Sequence, residues 1–112
     1  VNDRIINWSH MEHKTRFSVG VGVAYGSNTD VVSEILLECA NKNQSIAKEP
    51  KPFVRFADFG DSALEFQLYF WSDETFRVEN IKSDLRISIN KDFRKNNIQI
   101  PFPQRDVHIK NA

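Results

Sequence analysis

Residues 15–25, TRFSVGVGVAY, alternate with a period of two. Thr15, Phe17, Val19, Val21, Val23 and Tyr25 fall on one side, and Arg16, Ser18, Gly20, Gly22 and Ala24 on the other. Successive side chains of a strand point to opposite faces, so this spacing predicts a strand with one apolar face. The second face is nearly bare of side chains. Glycine weakens a strand, and two on one face mark a place that another backbone approaches closely. Gly20, Gly22 and Ala24 are therefore expected to meet a neighbouring segment or subunit.

After this strand, Gly26-Ser27-Asn28-Thr29-Asp30 reads as a turn ending in N-cap residues. Val32, Ile35, Leu36, Cys39 and Ala40 recur at helical spacing and predict an amphipathic helix to about Lys42. Asn43 to Pro52, with prolines at 50 and 52, reads as a loop. Two strands follow, Phe53 to Phe59 and Ala63 to Trp71, joined by a short hairpin loop at Gly60-Asp61-Ser62. Ser72-Asp73-Glu74-Thr75 supplies caps and acid for a longer helix striped by Val78, Ile81, Leu85, Ile89 and Phe93. Asn96-Asn97 is expected to end it, since Asn tolerates the left-handed position usually given to Gly.

A final extended segment, Ile98 to Ile109, completes the order β-α-β-β-α-β. The fold class is α+β: a ferredoxin-like two-layer sandwich with both helices on one face of a mainly antiparallel sheet. Residues 1–14 stand outside that unit, and Arg4-Ile5-Ile6-Asn7-Trp8-Ser9 reads as the last strand of something upstream.

At 112 residues, 40% hydrophobic and 27% charged, the composition is that of one ordinary globular domain. Fifteen basic residues balance fifteen acidic ones, which argues against a module that grips nucleic-acid phosphate. The single cysteine, Cys39, excludes an internal disulfide, suits a reducing compartment and reads as a small buried side chain. No stretch approaches the roughly 18 apolar residues that cross a bilayer. Neither a signal peptide nor an initiating Met is present, which points to a piece of a longer protein.

No motif carries catalysis. Gly20-Val-Gly22-Val-Ala-Tyr-Gly26 lacks the dinucleotide spacing, and its first two glycines lie inside a strand. His10, His13 and His108 lack the further ligands of a metal site. No Ser or Cys comes with a nucleophile elbow or neighbouring base. The expectation is therefore no catalytic, cofactor-binding or metal residues. Asp58, Asp61 and Glu65 flank a hairpin, where carboxylates cap turns or face water. Tyr69 and Trp71 offer aromatic faces of the kind on which RNA-recognition domains stack bases. The central basic-Gly-aromatic motif of those domains is absent from Glu65 to Phe70. A stand-alone acylphosphatase-like enzyme would want an Arg in its first turn, and Tyr25 to Thr29 has none.

Five stretches carry a resemblance. Asn7-Trp8-Ser9, Val21 to Ser27, Phe56 to Leu64, Phe70-Trp71 and Ile100-Pro101-Phe102-Pro103-Gln104 stand in the order and spacing of the small-conductance mechanosensitive channel family. Together they closely resemble its cytoplasmic C-terminal region over essentially the whole chain, with IPFPQ and FGDSxL the most specific. Asn97 departs from the family, which often has Gly there. The resemblance implies a bacterial inner-membrane channel that opens under tension and releases solutes on hypo-osmotic shock. It implies a homo-heptamer whose cytoplasmic part encloses a perforated vestibule passing ions and small solutes. The membrane is reached through segments absent from this chain, and gating lies outside it. On that template residues 1–14 end a middle β domain, 15–103 form the α/β domain, and 104–112 add a strand to an oligomeric β-barrel. Pro101, Phe102 and Pro103 would fix the exit direction, and Asp106, Val107, His108 and Ile109 would form the barrel strand between subunits. No cofactor and no nucleic acid is implied.

Overall fold

A computed structural model describes residues 14–101. In chain order they form strand β1 (Thr15–Val23), helix α1 (Thr29–Lys42), strands β2 (Phe53–Phe59) and β3 (Leu64–Ser72), a 3-10 turn (Thr75–Arg77) and helix α2 (Val78–Lys95). The sheet order is β1-β3-β2 with both pairings antiparallel. β1 and β2 are therefore parallel to each other but separated by β3, the split β-α-β arrangement of a ferredoxin-like fold.

Register explains the core. Phe17, Val19, Val21 and Val23 stand opposite Phe70, Leu68, Phe66 and Leu64, so one face of the sheet is apolar throughout. Both helices cover that face. α1 contributes Val32, Ile35, Leu36, Cys39 and Ala40, and α2 contributes Ile81, Leu85, Ile89 and Phe93, all buried in one cluster. Each fully buried Leu, Ile or Phe adds about 1.5–3 kcal/mol relative to exposure. Val78 is only half-buried, because it begins α2 at the rim.

The caps fall partly where the sequence predicts. The Asn28 side chain accepts from the Asp30 and Val31 amides at 2.9 and 3.3 Å and starts α1. α2 starts differently. Ser72 to Thr75 do not cap it; a 3-10 turn intervenes, and Arg77 stands at the N-cap with no side-chain bond to the helix amides. The reason is that Ser72 is engaged elsewhere. Its buried hydroxyl donates to the Ser45 carbonyl at 2.7 Å and accepts from the Glu74 amide at 3.1 Å, fastening the 43–52 loop to the end of β3. Ala47 N–H to Trp71 C=O at 2.8 Å and buried Ile46 complete that attachment.

α2 ends as its asparagines predict. Asn97 takes φ 58°, the Ile98 amide bonds the Phe93 carbonyl at 2.9 Å, and the Asn97 amide bonds that of Arg94 at 3.3 Å. This pair of bonds is a Schellman motif. Ile98 packs on the core beyond it. Residues 98–101 carry no ladder of their own, so the start of the expected last strand is here a single contact: the Ala24 amide donates to the Gln99 carbonyl at 2.8 Å. The rest of that segment lies outside the described residues.

Candidate assembly surface

The sheet face away from the helices carries Ser18, Gly20 and Gly22 from β1, Glu65, Gln67, Tyr69 and Trp71 from β3, and Phe53 and Arg55 from β2. Its glycines face cross-strand side chains. A Cβ on Gly20 would stand 2.9 Å from Gln67 Nε2, and one on Gly22 would stand 3.1 Å from Ala63 Cβ and 3.7 Å from Glu65 Oε1. The lane along β1 is thus partly occupied by β3 side chains, although Gly20 itself stays exposed.

The aromatic half of this face is bound up in its own contacts. Phe53 stacks on Tyr69 with centroids 4.9 Å apart and tilts against Trp71 at 5.8 Å. The Arg16 and Arg55 guanidinium groups lie 5.1 and 5.4 Å from the Tyr69 ring. Both arginines therefore contact rings, and Tyr69 already has a stacking partner. At the other end the hairpin presents Phe59, 70% exposed, and Phe56, which stacks on buried Phe66 at 5.0 Å. The Tyr25 hydroxyl donates to the Gly60 carbonyl and ties the β1–α1 turn to the hairpin.

β1 is an edge strand, and the chain leaves α2 beside it through the Ala24–Gln99 bond. Of the expected contact residues, Gly20, Gly22 and Ala24 lie on or next to this edge and Pro101 ends the described segment. Phe102, Pro103, Asp106, Val107, His108 and Ile109 lie outside the described residues, as do His10, His13 and residues 1–13 generally.

Sequence reasoning passed over one cluster between the helices. Asp92 is buried at the α1–α2 contact, where Cys39 Sγ and Lys42 Nζ each lie 3.4 Å from its Oδ2. Burial pushes the Asp92 carboxyl up. The hydrogen bonds from Cys39 and Lys42, with the charges of Lys42 and Lys95, outweigh it and hold the group below the usual carboxylate range. Burial raises the Cys39 thiol, so it is a packed side chain and not an activated nucleophile. Nothing in the periodicity of α2 marks Asp92, whose partners are distant in sequence.

Among the described residues no buried side-chain polar atom lacks a hydrogen-bond partner. No group of three His, Cys, Asp or Glu residues there suits a metal ion. No helix among them is long and apolar enough to cross a membrane. The first turn, where a phosphate site would sit, is closed by its own chain: Ser27 Oγ donates to the Ala24 carbonyl at 2.7 Å, and Asn28 serves α1.

Comparison with known proteins bears on the chain as a whole. The family model described as Mechanosensitive ion channel MscS, C-terminal, matches residues 17–100. An uncharacterized MscS family protein of Haemophilus influenzae is 36% identical across 99% of this chain, which spans 10% of that protein. The mechanosensitive channel MscK of Escherichia coli is likewise 36% identical across 99% of the chain, again 10% of its own length. The crystal structure of Helicobacter pylori MscS in its closed state matches with a TM-score of 0.73 at 29% identity. That match covers 80% of this chain and 35% of the other.

Proposed function

Since this chain belongs to the MscS family of mechanosensitive ion channels, we propose that it forms the cytoplasmic assembly and vestibule module of such a channel. The complete protein would sit in a bacterial inner membrane, assemble with copies of itself as a heptamer, and release ions and small solutes on hypo-osmotic shock. The chain does no chemistry in this reading; it is wall and joint. One observation carries it above the others: the C-terminal family match runs over 17–100, all of the sheet-and-helix unit but the first two residues of β1.

The division into 1–14, 15–103 and 104–112 belongs to the same proposal. Residues 15–103 are the α/β domain, 1–14 the end of an upstream β domain, and 104–112 a strand shared in an oligomeric barrel. Among the described strands β1 pairs on one side only, and the exit segment is bonded just past its end, which supports this. An unpaired strand edge is a template for another chain. In this reading Gly20, Gly22 and Ala24 meet a neighbouring segment, and Pro101 to Pro103 set the course of the strand at Asp106 to Ile109.

The test has two parts. Bacteria lacking their own tension-gated channels, given the full-length protein, should survive a hypo-osmotic shift; no rescue defeats the channel reading. Gly20→Leu tests the contact. The Cβ it adds meets the flexible end of Gln67 on a strand position that is itself exposed, so circular dichroism should be unchanged while light scattering reports a smaller particle. An unchanged particle would remove the β1 face from the interface.

A further inference from the structure

The helix layer carries two charged stripes of opposite sign that the described residues leave largely unpaired. On α1, Val31, Glu34, Glu38 and Asn41 follow one another at steps of three and four and line an open groove of about 460 Å³ with half-buried Leu37. On α2, Asp84, Ile87, Lys91 and Arg94 follow one another in the same way and line a second groove of about 440 Å³. Such spacing puts each set on one helix face. Among the described residues the ion pairs are Lys42–Asp92 and Glu74–Arg77; Glu38 feels the charge of Lys42 one turn on, while Glu34, Lys91 and Arg94 make no ion pair with any described residue. Ile87 is 58% exposed beside these cations, an apolar knob with no cover.

We infer that the α2 stripe of one copy packs antiparallel on the α1 stripe of the next. The two stripes match in length, each about 15 Å at 1.5 Å per residue. In the antiparallel register Lys91 meets Glu34, Arg94 reaches the end of α1 near Val31 and Asp30, and Ile87 falls at Glu38 beside half-buried Leu37. Asp84 then falls opposite uncharged Asn41, so no like charges meet. The parallel register sets Asp84 beside Asp30 and Arg94 beside Lys42, like charges in both places, and is disfavoured. The contact joins two different surfaces, hence it is head-to-tail and suits a closed ring of any number. This inference rests on the self-assembly proposed above and names a surface for it on the layer opposite the open sheet face.

Charge exchange tests it, read by sedimentation velocity of the 112-residue chain. Glu34→Lys with Glu38→Lys should raise the dissociation constant on the order of ten- to a hundredfold, and so should Lys91→Glu with Arg94→Glu. All four changes in one chain restore opposite charge across the contact and should bring association back toward the wild-type value. Ile87→Asp should weaken it while the urea midpoint stays put, since the side chain is exposed. The contrast should shrink at roughly 0.5 M salt, where the screening length is only a few ångströms. A monomeric wild type, wild-type association in both double variants, or no recovery in the fourfold variant overturns the contact. Any of these with hypo-osmotic rescue intact removes the contact alone; loss of that rescue removes the channel reading beneath it.

Discussion

Replacing Asn97 isolates one backbone angle from everything else in the fold. The residue is exposed and sits at φ 58°, between the end of α2 and the segment that leaves toward β1. A residue with a Cβ pays about 1–2 kcal/mol in this left-handed region, glycine nothing, and asparagine an intermediate amount. Both capping hydrogen bonds are made by main-chain groups, Ile98 N–H to Phe93 C=O and Asn97 N–H to Arg94 C=O, so they persist in every variant. Asn97→Val, β-branched, should therefore lose about 1–2 kcal/mol. Asn97→Ala should lose about 0.5–1 kcal/mol, and Asn97→Gly should match or slightly exceed the parent. With a urea slope of about 1.5 kcal/mol per molar, the Val variant unfolds at a midpoint roughly 1 M lower. Urea titration at one fixed protein concentration measures this, the fixed concentration keeping association constant. Val and Ala variants melting with the parent, within about 0.3 kcal/mol, would refute the claim that the angle governs this junction.

Two further outcomes follow from buried polar groups. Ser72→Ala should cost about 1–3 kcal/mol by thermal or urea unfolding, because it leaves the Ser45 carbonyl without its donor and the Glu74 amide without its acceptor. Asp92 has a folded-state pKa below its ordinary value of 3.8, so the stability it adds is present above that value and disappears as pH falls through the folded one. Asp92→Asn should flatten the acid limb of the stability-against-pH curve below pH 3.8; an identical limb in both proteins would show that the carboxylate is not linked to folding.

How much was legible depended on how far apart the deciding groups lie. The α1 stripe from Val32 to Ala40 is buried as its spacing predicts, because an amphipathic helix over a sheet needs only local periodicity. Asn97 was legible for a similar reason: a left-handed cap is a property of one residue. The start of α2 was not. Ser72 looks like a cap in isolation, but its hydroxyl is drawn to Ser45, far back in the chain. The bare look of Gly20 and Gly22 was misleading in the same way, since only the β1–β3 register brings Gln67 and Glu65 across them. Asp92 was invisible because its reason for being buried, Cys39 and Lys42, stands on another helix.

The sheet order also has a consequence in time. β1 pairs only with β3 among the described strands, Val23 opposite Leu64 and Thr15 opposite Ser72. On a ribosome β1 emerges well before β3, and their pairing waits until Ser72 has cleared the exit tunnel. At about 5–20 residues per second, that wait lasts several seconds. Throughout it, a valine-rich strand lacks its β3 partner while α1 can already cover its apolar face. The central strand arrives third and closes both pairings at once, so the nascent half-domain is the species most exposed to mispairing with its own sister chains.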